Sequence, residues 1–194
     1  MSLKLGFCEH DAALYSVKKW HYSKAIPPGK LVSIGVWEDE KFIGCVIFSR
    51  GANNHLLQPY GLEQIEGCEL TRIALDKHKA PVTQIASIAI KLLRKSNPGL
   101  KLIVSFADSR QGHLGKIYQA GNWVFTGSVK STPDFFVDGR WQHQRNMHSK
   151  FGTIKGLRFE TRDGGYRHRY LYPLTEEMRV LCDKIKKPLS DMRV

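Results

Sequence analysis

Apolar residues recur along this chain in two rhythms, one helical and one alternating. Ala13, Val17 and Trp20 come round on one face of residues 10–20, which predicts a helix. His21-Tyr22-Ser23 follow, and Pro27-Pro28-Gly29 close off any continuation. Two strand patterns come next, at 31–37 and 42–49. Val32, Ile34 and Val36 alternate with smaller or polar neighbours, and Glu38-Asp39-Glu40-Lys41 supplies a hairpin turn. Residues 50–66 form a polar loop, of a length often tied to function. A third strand at 68–75 alternates Glu69, Thr71 and Ile73 with Leu70, Arg72 and Ala74. The clearest helix spans 82–95, where Ile85, Ile88, Ala89, Leu92 and Leu93 keep one face and Ser96-Asn97-Pro98-Gly99 stops it.

Leu102-Ile103-Val104 begin a strand that finishes on Ser105-Phe106-Ala107-Asp108. Gly112 and Gly115 bracket a turn into a short helix that carries Tyr118 and ends at Gly121. Open α/β sheets bind ligands beyond the carboxyl ends of their strands. Asp108 and Tyr118 are therefore a candidate acid and phenol beside one crevice; the plain alternative is a turn cap and a packed ring. A strand at 123–129, an aromatic loop at 132–140, a late strand at 167–174 and a terminal helix at 176–187 complete the pattern. A hairpin-rich sheet followed by a strand–helix–strand crossover predicts an α/β (mixed α+β) fold, a central mixed sheet flanked by helices. It reads as one domain over 1–194 with a basic insertion around 130–166.

Charge sharpens this picture. The formal charge is +12, and residues 140–194 hold thirteen Lys/Arg against six Asp/Glu, +7 of that total. Such a field favours a polyanion: DNA, RNA or a phosphorylated cofactor. Cys8, Cys45, Cys68 and Cys182 form no CxxC pair, which excludes the usual zinc-finger spacings and predicts buried reduced thiols. No stretch approaches the roughly 20 apolar residues of a membrane span, and no secretory signal is visible. The expectation is a soluble, cytoplasmic protein whose oligomeric state is left open, a dimer included.

The element order resembles the GNAT (Gcn5-related N-acetyltransferase) fold, and the stretch from Ile117 to Gly127 is similar to that fold's helix-Gly-aromatic-Gly ending. In that fold the fourth strand and the helix after it hold acetyl-CoA, and the fifth strand splays away to admit the acceptor. A narrower resemblance is to the phage Mom DNA-modification proteins. It rests on Trp20-His21-Tyr22-Ser23, Gly35-Val36-Trp37-Glu38, Ser49-Arg50-Gly51-Ala52-Asn53, Glu69-Leu70-Thr71-Arg72, Phe106-Ala107-Asp108 and Ile117-Tyr118-Gln119-Ala120, in that order. That family implies replacement of an adenine N6 hydrogen in double-stranded DNA by a carbamoylmethyl group, which shields phage DNA from restriction. By the same resemblance, His21, Tyr22, Asp108 and Tyr118 are the functional residues. Arg72 and Thr83 belong to the donor site, and iron joins the candidate cofactors. The chain would be phage or prophage encoded and act in the host cytoplasm.

One departure stands out. GNAT enzymes place a glycine-rich segment before the corresponding helix to cradle the CoA pyrophosphate. Residues 77–83, KHKAPVT, contain no glycine, and Pro81 lacks an N–H. The helix N-terminus and Lys77 or Lys79 could still attract an anion, so acetyl-CoA and a glycyl carrier such as a charged tRNA both stay open as donors.

Adenine N6 is a poor nucleophile, so a base and an oxyanion site would both help. Asp108 is the candidate base or metal ligand, His21 a second base or ligand, Tyr118 the acid, Tyr22 a positioning group and Glu69 a competing base. For a metal, the available His and Asp residues follow no ligand spacing. Arg140, Arg145, Lys150, Lys155, Arg158, Arg162, Arg167 and Arg169 are candidates to track phosphates. Trp141, Phe135, Phe136 and Tyr60 are candidates to stack on an extruded base. Two rival functions remain at this level: an ordinary acyltransferase of a small amine or protein, and a non-catalytic DNA-binding protein.

Overall fold

A computed structural model describes residues 2–51 and 54–193, the side chain of Arg145 excepted. Its main sheet has seven strands in the order β1-β2-β3-β4-β5-β10-β6. These are β1 (Leu3–Phe7), β2 (Leu31–Glu38), β3 (Lys41–Ser49), β4 (Gly67–Leu75), β5 (Leu102–Asp108), β6 (Val124–Lys130) and β10 (Tyr166–Pro173). All neighbours are antiparallel except β4 and β5. The crossover between those two is α2 (Val82–Ser96), as the periodicity predicts.

The pleat assigns each strand residue to a layer. On β3, Val46 and Phe48 face the core under α2, whereas Cys45 and Ile47 face Ala13 and Val17 of α1 (His10–Trp20). On β5, Ile103 joins the α2 side, while Leu102 and Val104 meet Met178 and Cys182 of α5 (Glu176–Ile185). The β2–β3 hairpin turns on Asp39 and Glu40, both at positive φ (48° and 63°), the geometry that matches strand twist. All four cysteines are free thiols; Cys45, Cys68 and Cys182 are buried and Cys8 partly so. No helix is long and apolar enough to cross a membrane, among the described residues.

Four local expectations change. β1 is not foreseen: five residues leave too little periodicity, and it exists by pairing along β2 from Leu3↔Glu38 to Phe7↔Ile34. The 50–66 loop buries Leu57, Tyr60 and Leu62 against the α5 layer, so Tyr60, 6% exposed, is core and not a stacking platform. The aromatic loop is instead a hairpin, β7 (Asp134–Val137) and β8 (Arg140–His143), turning on Asp138-Gly139 with φ of 53° and 74°. With β9 (Glu160–Arg162) it makes a second sheet of three strands, followed along the chain from β8 by α4 (Gln144–Phe151). Residues 134–162 thus hold a small sheet and a helix, in which Phe151 and Phe159 pack together and Phe159 meets Phe135.

Candidate active site

β4 and β5 pair through only four positions, from Gly67↔Leu102 to Leu70↔Ser105. Beyond them each strand stays with its other neighbour, β4 with β3 and β5 with β10, so a wedge opens between them. A β-bulge sits at the mouth: Ile47 and Phe48 oppose Arg72 and Leu70, leaving Thr71 as the extra residue. Bulges re-aim side chains beside active sites.

Ser105 marks the point of divergence. It is fully buried, and its hydroxyl lies 2.7 Å from the Leu70 carbonyl and 2.8 Å from the Tyr118 phenol oxygen. The carbonyl can only accept and Ser105 has one proton, so the phenol donates to Ser105 Oγ. Burial pushes the Tyr118 phenol up to about 12. Its ring stacks on Tyr170 at 5.0 Å. The short helix α3 (Lys116–Gln119) that carries it is fixed by Tyr170, whose hydroxyl donates to the Leu114 carbonyl at 2.8 Å and lies 3.0 Å from Gln119 Nε2.

The wedge contains a cavity of about 190 Å³. β4 contributes Glu69, Leu70, Thr71 and Arg72, and β5 contributes Phe106 and Asp108. Tyr22 closes one side, with Arg110 and Arg167 beside it; Ser131 and His143 reach in from the segment that carries the small sheet. Two polar groups here are buried without a partner among the described residues, the Ser131 hydroxyl and Arg72 Nε. Buried polar groups are ordinarily hydrogen-bonded, and orphans in a cavity wall are where a ligand would make its bonds.

Asp108 both caps and pairs. Its Oδ1 accepts the Arg110 backbone N–H at 3.0 Å, and the Arg110 side chain reaches both oxygens at 3.3–3.4 Å. The same guanidinium reaches Asp134 of β7 at 2.5 Å, and Asp134, 5% exposed, also takes Arg162 at 3.0 Å. An ion-pair chain therefore ties the small sheet to the cavity wall. Arg162 also lies over the Trp141 ring, 4.8 Å from its centroid.

His21 is 8% exposed, and its Nδ1 accepts the Ser23 N–H at 3.1 Å. That bond places the ring proton on Nε2. Burial, then the charge of Arg72, pull its pKa down to about 4, so it is neutral and presents a donor. Its ring lies 4.3 Å from that of Tyr22.

The expected site residues are thus partly assembled. Tyr22, Glu69, Arg72, Asp108 and Arg167 share the cavity. Tyr118 lines a neighbouring, mostly apolar cavity of about 280 Å³, and Phe106 is common to both. Thr83 lies elsewhere, in a groove of about 320 Å³ between α2 and α3, so it does not join Arg72. Among the described residues no three His, Cys, Asp or Glu side chains could together hold a metal ion, so His21 and Asp108 gain no third ligand.

Of the basic candidates, Arg140, Lys155 and Arg158 are exposed. Arg162 is paired with Asp134 and Lys150 with Asp138. Arg169 does not stand free for phosphate: it donates to Thr126 at 3.0 Å and covers the Tyr60 ring. The Arg145 side chain, like Ala52 and Asn53, lies outside the described residues. Sequence reasoning missed Arg110, Ser131 and His143. Arg110 sits two residues past Asp108, a spacing that offered a signal; Ser131 and His143 offered none.

The fold matches solved acetyltransferases at low identity. An acetyltransferase of Bacillus subtilis, solved in complex with CoA, aligns over 90% of this chain and all of its own (TM-score 0.51, 12% identity). A spermidine/spermine N-acetyltransferase of Vibrio cholerae covers 92% of this chain and 95% of its own (0.53, 13%). A ribosomal-protein-S5-alanine acetyltransferase of Vibrio fischeri covers 91% and 95% (0.54, 11%). The splayed wedge and these matches define a GNAT fold. The chain belongs to the Mom protein family, whose family model matches residues 2–190. It is 30% identical over 142 residues to the methylcarbamoylase mom of Escherichia phage Mu, covering 71% of this chain and 58% of that relative's length.

Proposed function

We propose that this chain is a DNA-modifying transferase that replaces an N6 hydrogen of adenine with a carbamoylmethyl group, protecting phage DNA from restriction in the host cytoplasm. The observation that carries the reading is the composition of the wedge cavity in a member of the Mom family. Two carboxylates (Glu69, Asp108) and three arginines (Arg72, Arg110, Arg167) line one small space with Tyr22 and Phe106, and two residues of its wall, Arg72 and Ser131, each carry a buried polar atom without a partner among the described residues.

An adenine within duplex DNA must leave the stack before chemistry at N6, and the enclosing rings of Tyr22 and Phe106 suit a flipped base. Glu69 and Asp108 are the two carboxylates for the N6 proton. Asp108 holds Arg110 in a fork, and Glu69 faces the same cavity from β4. Arg72 Nε–H and the Ser131 hydroxyl supply hydrogen bonds to a ring nitrogen or to a developing oxyanion. Tyr118, its pKa raised by burial, keeps its proton at neutral pH and is the acid of this reading once that proton turns from Ser105 to a leaving group.

The product constrains the donor. Carbamoylmethyl joins N6 through CH2, and N6-glycyl adenine is its isomer. N6 could displace the carrier hydroxyl of a glycyl ester, which leaves with the N6 proton; the N6–carbonyl and CH2–NH2 bonds would then break as N6–CH2 and carbonyl–NH2 bonds form. No oxidant is consumed. An acetyl group has no such nitrogen and would need oxidation at its methyl carbon. Iron is given no step, because the described residues assemble no ligand set for it.

The test is mass spectrometry of nucleosides digested from DNA of cells expressing the chain, with Asp108→Ala and Glu69→Gln beside it. The expected result is a carbamoylmethyl-deoxyadenosine that both variants diminish. Unmodified DNA from a folded wild-type protein, with phage and host factors supplied, refutes the reading.

A further inference from the structure

The N-terminus of a helix is where diphosphates commonly meet backbone N–H groups. Ahead of α2 the two loop donors, the Lys79 and Ala80 N–H groups, are already taken. Glu38, the last residue of β2, turns its carboxylate into the 77–81 loop. Its two oxygens accept the Lys79 N–H at 3.1 and 2.9 Å, and Oε1 accepts the Ala80 N–H at 2.7 Å. Pro81 has no N–H to offer. In the first turn Gln84 and Ile85 donate to the Pro81 carbonyl at 3.0 and 3.1 Å, which leaves Val82 and Thr83 as the N–H groups of the helix start outside these bonds.

The carboxylate is a fixed part of the fold. Glu38 is 8% exposed, and the two backbone N–H groups hold its carboxyl below the ordinary range, so it is charged at neutral pH. His78 Nδ1, 2.8 Å from the Ala80 carbonyl, fixes the loop from the other side. A diphosphate brought to these N–H groups would have to evict Glu38 or lie against its charge. Thr83, the second residue of α2, opens on the α2–α3 groove.

We infer that Glu38 is a built-in occupant of the donor-diphosphate position, and that this chain takes its transferred group from a carrier other than coenzyme A. The class left is an activated acyl or aminoacyl ester whose carrier sets no diphosphate ahead of α2. The inference concerns the donor alone and stands whether or not the acceptor is DNA.

The experiment is calorimetric titration of the whole chain with acetyl-CoA, joined to thermal melts of wild type, Glu38→Gln and Glu38→Ala in inorganic pyrophosphate. The expected wild-type result is no saturable heat up to about 1 mM acetyl-CoA and a melt indifferent to pyrophosphate beyond its ionic strength. Glu38→Gln, which can keep an oxygen on both N–H groups, should behave the same way. Glu38→Ala empties the position, so pyrophosphate should raise its Tm where an equal ionic strength of chloride does not. Saturable acetyl-CoA binding by wild type, displaced by pyrophosphate, overturns the inference. So does a folded Glu38→Ala that ignores pyrophosphate. If Glu38→Ala fails to fold, the wild-type titration still decides.

Discussion

Gly115 carries the sharpest test of how the Tyr118 helix is positioned. It sits at φ +73°, and a Cβ added there would lie 2.3–2.5 Å from Cε2, Cζ and OH of Tyr170. Tyr170 is fully buried and tied through its hydroxyl to Leu114 and Gln119, so its ring cannot give way cheaply. Gly115→Ala therefore incurs about 1–2 kcal/mol for a left-handed alanine and about 1–3 kcal/mol for overpacking. A total near 3 kcal/mol lowers Tm by roughly 6–12 °C in a chain of this size. Gly112→Ala is the control: its φ is similar, +68°, but an added Cβ meets nothing within 4 Å. Urea unfolding of both variants separates the two contributions, because only Gly115→Ala should show the packing loss. It should also lose modification activity beyond its loss of stability, since α3 starts there. Equal destabilisation of the two variants would refute the argument that Tyr170 is the obstacle.

Three further outcomes follow from the same geometry. His21 is neutral in the folded state with a pKa of about 4, against about 6.5 unfolded; its contribution is present above pH 6.5 and is lost as pH falls towards 4. Between pH 7 and pH 5 this amounts to about 2 kcal/mol, so wild type should lose about that much more stability than His21→Gln in parallel urea titrations, and identical losses would remove His21 from the pH response. Asp134→Asn leaves Arg110 and Arg162 without their shared carboxylate; the half-exposed Arg162 tempers the cost to about 1–3 kcal/mol, with faster hydrogen exchange in β7 and β9 than in β3, and an unchanged exchange pattern would dismiss the tie. If about six basic side chains contact phosphates, duplex affinity should fall on the order of a thousandfold between 50 and 200 mM salt, and a flat response measured by fluorescence anisotropy would exclude a phosphate-tracking surface.

Several features of the site were legible as sequence. The β4–α2–β5 crossover followed from the helical spacing of Ile85, Ala89 and Leu93 between two apolar strands. It placed Asp108 at the carboxyl end of its strand, beside the cavity that Glu69 and Arg72 of β4 also line. The Asp138-Gly139 pair was also a readable hairpin signal, obscured by the surrounding aromatics. Other features left no local trace. The bulge at Thr71 depends on the register with β3. Whether Tyr60 reaches solvent depends on α5 folding over it, and α5 lies more than a hundred residues further on.

The sequence by itself determined the alternation of helices and strands, the hairpin, the crossover and the absence of glycine ahead of α2, because periodicity and turn chemistry act within about ten residues. The tertiary structure alone decided that β10 enters between β5 and β6, so that Arg167 stands opposite Asp108. It also decided that Ser131 and His143 wall a cavity opened by β4 and β5, and that Glu38 claims N–H groups some forty residues away. Such contacts are selected by burial and by satisfaction of polar groups across the whole sheet, and neither is defined until distant segments meet.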